Sequence, residues 1–208
     1  MCGRFGQARK ITELKQLYAA EGNIEWPGSY NIAPTELAPV IIETTSQERE
    51  LKLARFGMPM TIKGKSFLLL NVQSEKAATR EDFKFRRCVI PADGFYEWEK
   101  VSPKDRQPYY FSPKQGIFSF AGLWMQGRTG LCFTILTVSA NELVQPIHGR
   151  MPVILGHNAV YQWLAPNSTV ETLKLLVEPF PASLMQSWKV SKAVNSPSNK
   201  DIICINSL

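Results

Sequence analysis

Residues 117–138 read Ile-Phe-Ser-Phe-Ala-Gly-Leu-Trp-Met-Gln-Gly-Arg-Thr-Gly-Leu-Cys-Phe-Thr-Ile-Leu-Thr-Val. Two runs rich in β-branched and aromatic residues, Ile117–Met125 and Leu131–Val138, flank a stretch punctuated by Gly127 and Gly130, so each reads as a strand. Working outward, similar runs predict strands at Ala38–Thr44, Glu50–Phe56, Phe67–Asn71, Arg87–Pro91, Phe95–Lys100 and Tyr109–Phe111, then at Val153–Leu155 and Ser187–Val190. Leu51 and Leu53 alternate around Lys52, the period of a half-buried strand. Helices are fewer. Ile11, Leu14, Leu17 and Tyr18 share one face of a helix over 11–20, and Glu75–Phe83 reads as a short helix. Ala159–Leu164 stops before Pro166, and Ser168-x-x-Glu171 resembles a capping box ahead of Leu173, Leu176 and Val177. Many strands with a few peripheral helices predict an α+β fold: a β-rich single domain over 1–208 with a mainly antiparallel, barrel-like sheet core. Asn195–Lys200 reads as a surface loop.

The composition fits that fold. Of 208 residues, 44% are hydrophobic and 11% aromatic, enough to bury a core and to exclude disorder. The longest apolar stretches, such as Phe67–Leu70 and Leu131–Val138, fall far short of the ~20 residues of a membrane helix. The first ten residues hold no apolar run, so no secretory signal is expected and a cytoplasmic protein is. Lys and Arg number 24 against 18 acidic residues, a net charge of +6. That balance favours an anionic partner, nucleic acid first, although a soluble basic protein needs none. The four cysteines form no Cys-x-x-Cys pair, so no metal or other cofactor is expected. Cys88, Cys132 and Cys204 lie in apolar runs and read as buried small hydrophobes.

Cys2 is different. Removal of Met1 would leave a 1,2-aminothiol, with an amine of pKa ~7.7–8.0 and a thiol of ~8.5. Such a pair condenses with an aldehyde: the amine forms a Schiff base and the sulfur closes a five-membered thiazolidine. The plainer alternative is a chance cysteine on a frayed end. Gly3 allows a tight bend and Arg4 places a cation nearby that could bind phosphate. Glu97 lies among Phe95, Tyr96 and Trp98, where desolvation would raise its pKa toward the range of acid–base work; it could equally be a surface residue of an edge strand. His148, in Pro146-Ile147-His148-Gly149-Arg150-Met151-Pro152, reads as a proton-transfer group or an exposed loop histidine. His157 reads as a surface residue at the start of a helix. Asn71 ends an apolar run, where an amide satisfies backbone groups or orients a substrate oxygen.

These residues arrive with neighbours that resemble one family. Met-Cys-Gly-Arg-Phe opens the chain, followed by Tyr30-Asn31-Ile32-Ala33-Pro34, Arg55-Phe56-Gly57, Asn71 through Glu75, and Ile90-Pro91-Ala92-Asp93-Gly94-Phe95-Tyr96-Glu97-Trp98. Then come Phe120-Ala121-Gly122-Leu123-Trp124, Thr137, the His148 segment, Val190-Ser191 and Val194-Asn195. In this order they resemble the SOS-response-associated peptidase family, which includes abasic-site processing proteins. The resemblance implies a β-rich domain that binds abasic sites in single-stranded DNA, including sites near single-strand/double-strand junctions. It implies a thiazolidine cross-link through Cys2, with associated strand cleavage. Asn71 would hold the opened sugar, Glu97 would assist Schiff-base chemistry, and His148 would move protons at the sugar hydroxyl. Arg4, Asn31, Pro34, Gln73, Trp98, Thr137 and Arg150 would line the DNA path, and a monomer is expected.

The chain departs from the family pattern in places. Asn71-Val72-Gln73-Ser74-Glu75 stands where Asn-Ala-Arg-x-Glu is usual, so a cation is replaced by Gln73. Phe56 replaces a tryptophan, and Gly149 an aspartate. Two other functions fit the same residues. One is a cysteine-type peptidase, including self-processing, with Cys2 as nucleophile and His148 as base. The other is a noncatalytic single-strand binder using Arg4, Arg86, Arg87 and Arg150 with stacking on Trp98.

Overall fold

The computed structural model describes every residue except Met1, Thr45 and Gln47. Its strands are β1 (Phe5–Gln7), β2 (Ala20–Glu21), β3 (Ser29–Ile32), β4 (Leu37–Glu43), β5 (Arg49–Phe56), β6 (Met58–Ile62), β7 (Lys65–Leu69), β8 (Asn71–Gln73), β9 (Arg87–Ala92), β10 (Gly94–Lys100), β11 (Arg106–Pro113), β12 (Phe118–Gly127), β13 (Gly130–Ser139), β14 (Arg150–Pro152) and β15 (Met185–Lys189). The helices are α1 (Ile11–Tyr18), α2 (Ser74–Ala77), α3 (Glu81–Phe85), α4 (His157–Leu164) and α5 (Val170–Leu175). Short 3₁₀ turns occupy Ala182–Leu184, Lys192–Asn195 and Ile202–Cys204.

The β12–β13 hairpin is the hinge of the architecture. From it the ladder runs β12–β9–β4–β5, and β5 returns to β13 through the parallel pairs Cys132↔Arg55 and Phe133↔Phe56. The sheet therefore closes on itself, which removes exposed edges. Where β13 runs past this ring, β8 joins in parallel (Asn71↔Ile135, Gln73↔Thr137) and β14 in antiparallel fashion (Arg150↔Ser139). A second sheet, ordered β15–β11–β10–β1–β3, is wholly antiparallel.

Aromatic side chains join the two sheets. Phe5 of β1 meets Phe56, Phe120 and Phe133 of the ring edge-on, at centroid distances of 5.6–6.4 Å. Phe95 of β10 stacks on Phe111 at 5.0 Å and meets Phe120 edge-on. These geometries suit the ring quadrupoles and add to the large apolar area removed from water. The start of β10 needs glycine: a Cβ at Gly94 would collide with the Phe111 carbonyl and the Tyr110 ring. Asp93 ties the turn before it to β1, accepting from Ala8 N at 2.6 Å and Arg9 Nε at 3.0 Å.

Most predicted strands are present, with edges shifted by a residue or a few. Val153–Leu155 is a correction: the strand is Arg150–Pro152, and beyond it Ile154 makes a single bridge to Phe120. The helix expected over Glu75–Phe83 is two helices, α2 and α3, broken where Arg80 turns to bond Asp82 through Nε and Nη2. The cap of α5 is Thr169, whose Oγ1 accepts from Thr172 N at 3.2 Å; Ser168 instead donates to the Gln162 carbonyl. Cys88, Cys132 and Cys204 are buried thiols. No helix among the described residues is long and apolar enough to cross a membrane.

Candidate active site

The outer ends of β1 and β10 and the turns beside them enclose a cleft of about 820 Å³. Gly3, Arg4, Pro34, Glu97, Trp98 and His148 line its inner part. Sequence positions far apart thus meet because β1 pairs with β10 through Phe5↔Phe95 and with β3 through Phe5↔Ile32. Pairing to the apolar core sets the register, and the polar ends project beyond it.

Cys2 lies against this cleft, fully buried. Its thiol donates to the Arg4 carbonyl at 3.7 Å, and its own carbonyl accepts from Asn71 Nδ2 at 3.0 Å. Asn71 Oδ1 is buried and has no hydrogen-bond partner among the described residues. Burial pushes the Cys2 thiol pKa far up, and the nearby Glu97 carboxylate raises it further. Glu97 is itself only 4% exposed, and burial raises its pKa, an effect opposed in part by His148. On β10 Glu97 shares a face with Phe95 of the main core, while Tyr96 and Trp98 pack on the opposite face. Met1, whose removal the aminothiol chemistry requires, lies outside the described residues.

His148 sits on the turn before β14. Its Nδ1 lies 3.0 Å from the Arg150 backbone N–H and 3.1 Å from the Arg150 carbonyl, so the turn holds the ring in either tautomer. Arg150 forms a bidentate pair with Glu75 at 2.7 and 2.9 Å and also donates to the Thr137 carbonyl. That fork holds Glu75 below its ordinary pKa. Thr137 is fully buried, and its hydroxyl donates to the Val72 carbonyl. Gln73 pairs with it across the β8–β13 ladder and is half-buried.

Arg4 is half-buried. Its Nη1 donates to Asn31 Oδ1 at 2.8 Å and to the Val194 carbonyl at 2.6 Å, and Nη2 reaches the Asn195 carbonyl at 3.4 Å. These partners are neutral, so the guanidinium is aimed without an ion pair among the described residues. Asn31 is fully buried, and its Nδ2 donates to the carbonyls of Val194, Ser196 and Asn199. It holds the C-terminal turn that holds Arg4. Trp98 Nε1 donates to Asn195 Oδ1 at 2.8 Å, which fixes the indole at the cleft.

The predicted residues thus form two clusters. Arg4, Pro34, Glu97, Trp98 and His148 share the cleft with Cys2 beneath, whereas Gln73, Thr137 and Arg150 sit along β8, β13 and β14. Asn71 and the His148–Arg150 contact connect them. Sequence reading missed Asn195 as an anchor, as well as the cations Lys104, Arg106 and Lys192 at the mouth. Their signal was slight: a short charged turn and a polar C-terminal stretch. Arg87 is buried, donating to the carbonyls of Trp163, Phe83, Lys84 and Ala165, so it supplies no surface cation.

With this geometry in place, the comparisons with known proteins are specific. The family model described as SOS response associated peptidase (SRAP) matches residues 1–197. The chain belongs to the SRAP family. Abasic site processing protein YoqW of Bacillus subtilis (strain 168) is 35% identical over 216 residues, covering 96% of this chain and 96% of that protein. Abasic site processing protein HMCES of Xenopus tropicalis is 28% identical over 264 residues, covering 99% of this chain and 78% of its own. A crystal structure of a Bacteroides thetaiotaomicron protein has the same fold, with a TM-score of 0.84 at 21% identity over the whole of both chains. A phage-related protein of Bordetella bronchiseptica aligns with a TM-score of 0.76 at 24% identity, covering 96% of this chain and 99% of its own. The SRAP match takes in the 192–195 turn that anchors Arg4; Asn199, a further support of Asn31, lies beyond it.

Proposed function

We propose that this protein processes abasic sites in single-stranded DNA by trapping the opened sugar as a thiazolidine on Cys2. The observation that carries the reading is the hydrogen bond from Asn71 to the buried Cys2, beside a cleft that Glu97, His148 and Arg4 line. The names of SRAP relatives such as YoqW and HMCES point to the same substrate.

Hydrolysis of the Met1–Cys2 peptide bond exposes the amine. The amine attacks C1′ of the ring-opened deoxyribose, and the carbinolamine loses water to give a protonated Schiff base. The sulfur then adds to that carbon as the thiol proton departs, and the nitrogen keeps a hydrogen; one water is released overall. A buried thiol with a raised pKa is protonated at neutral pH, so closure needs a nearby acceptor, and that role falls to Glu97, the carboxyl group whose charge acts on the thiol. Running the same steps backward returns the proton and releases the sugar. Asn71 Oδ1 is available to accept a sugar hydroxyl. Strand cleavage starts from the Schiff base: a base removes a C2′ proton and the 3′ phosphate leaves, with His148 as the exchanging group. Arg4 pairs with a backbone phosphate and Trp98 stacks on a base.

A cysteine-peptidase reading asks for a thiolate, and the burial and the carboxylate beside Cys2 oppose one. A purely binding role leaves the buried Cys2–Asn71–Glu97 arrangement without use. Denaturing electrophoresis after incubation with a single-stranded abasic oligonucleotide tests the proposal: a heat-stable shifted band is expected, and noncovalent binding alone would contradict it.

A further inference from the structure

The mouth of the cleft carries charge that the proposed chemistry does not use. β10 ends at Lys100 and β11 begins at Arg106, and these two exposed cations face each other across the ladder. Like charges directly opposite in a sheet destabilise it, and a bound anion would offset that cost. Between them the turn is tight, with Val101 N and Ser102 N both donating to the Asp105 carbonyl, and it holds Lys104 out at the cleft. Neither Lys104 nor Arg106 has an ion pair or side-chain hydrogen bond among the described residues. The one acid of the turn, Asp105, is engaged by Lys192 at 2.5 Å. From Glu97 to Lys100 the strand advances about 10 Å, a span of one or two nucleotides from the reacting sugar.

We infer that Lys104 and Arg106 form a shelf for backbone phosphates of the single strand leaving the cleft, with Lys192 docking the turn against the C-terminal segment. The inference rests on the DNA reading above and extends it to residues outside the family's conspicuous segments. It also supplies cationic contacts in a chain that carries Gln73 in place of an arginine.

The test is a fluorescence-anisotropy titration of a single strand containing an abasic analogue without an aldehyde, at 50 and 200 mM salt. Each phosphate contact on a single strand contributes about 0.7 to the salt slope. Wild type should therefore lose about seven-fold more affinity over that range than K104Q/R106Q. The charge-preserving K104R/R106K should keep the wild-type slope. K63Q/K65Q, on the exposed β6–β7 hairpin, should parallel wild type. Parallel plots for wild type and K104Q/R106Q would overturn the shelf, as would an equal loss in K63Q/K65Q, which would mean general charge attraction. Cross-linking of an aldehyde-bearing strand by wild type is scored alongside. Its absence would overturn the trapping reading, whereas cross-linking with parallel salt plots would overturn the shelf alone.

Discussion

Phe95 and Glu97 stand two residues apart on one side of β10, and both are almost wholly removed from water. Phe95 stacks on Phe111 in the apolar centre. Glu97 carries a carboxyl group into the floor of the cleft, where burial raises its pKa. The same desolvation stabilises one and works against the charged form of the other. The core end of β10 therefore gains the free energy that holds the cleft end in a conformation its own groups would disfavour. Stability and reactivity are adjacent properties of a single strand, and substitutions should separate them.

The largest expected effect is at the core end. Phe95→Ala removes a buried ring and should cost ~3–5 kcal/mol, read from chemical denaturation. Glu97→Gln should do the opposite: cross-linking slows about 10²-fold or more, while the fold is retained. The pH dependence of stability sharpens the contrast. Because the folded pKa of Glu97 is raised, the native state binds more protons than the unfolded one above the ordinary glutamate pKa. Stability then falls as pH rises through that window, and Glu97→Gln should flatten this part of the curve and stabilise the protein at neutral pH. Equal pH profiles for wild type and variant would break the comparison. His148→Ala should reduce strand cleavage by about 10²-fold with a smaller effect on cross-linking, measured as product bands over time. The smallest effect is expected at Gln73→Arg, which should steepen the salt dependence of single-strand binding by about 0.7. An unchanged slope would place position 73 away from phosphate.

The long strands were legible because apolar runs such as Leu131–Val138 are continuous and bounded by glycine. β1 and β3 were not, since three or four residues carry no period and exist through remote partners, Phe5↔Phe95 and Phe5↔Ile32. Closure of the ring rests on two parallel pairs between β5 and β13, which no local pattern announces. At the site, the burial of Glu97 could be read from Phe95, two residues away on the same face of the strand, and not from Tyr96 and Trp98, which face the other way. The burial of Asn31 could not: the family resemblance put it on the DNA path, and its burial depends on carbonyls 163–168 positions away. Arg87 likewise looks like a surface cation beside Arg86 until its four carbonyl partners are in place.

The account turns on Cys2 as an aminothiol beside Glu97. Intact-mass measurement of the product formed with a short abasic single strand tests this most directly. With Met1 removed, wild type should gain the mass of the oligonucleotide less one water, in a product that survives heating without borohydride. Cys2→Ala should bind the strand and give no such species. A heat-stable adduct of the same mass on Cys2→Ala, formed without reductant, would contradict the account.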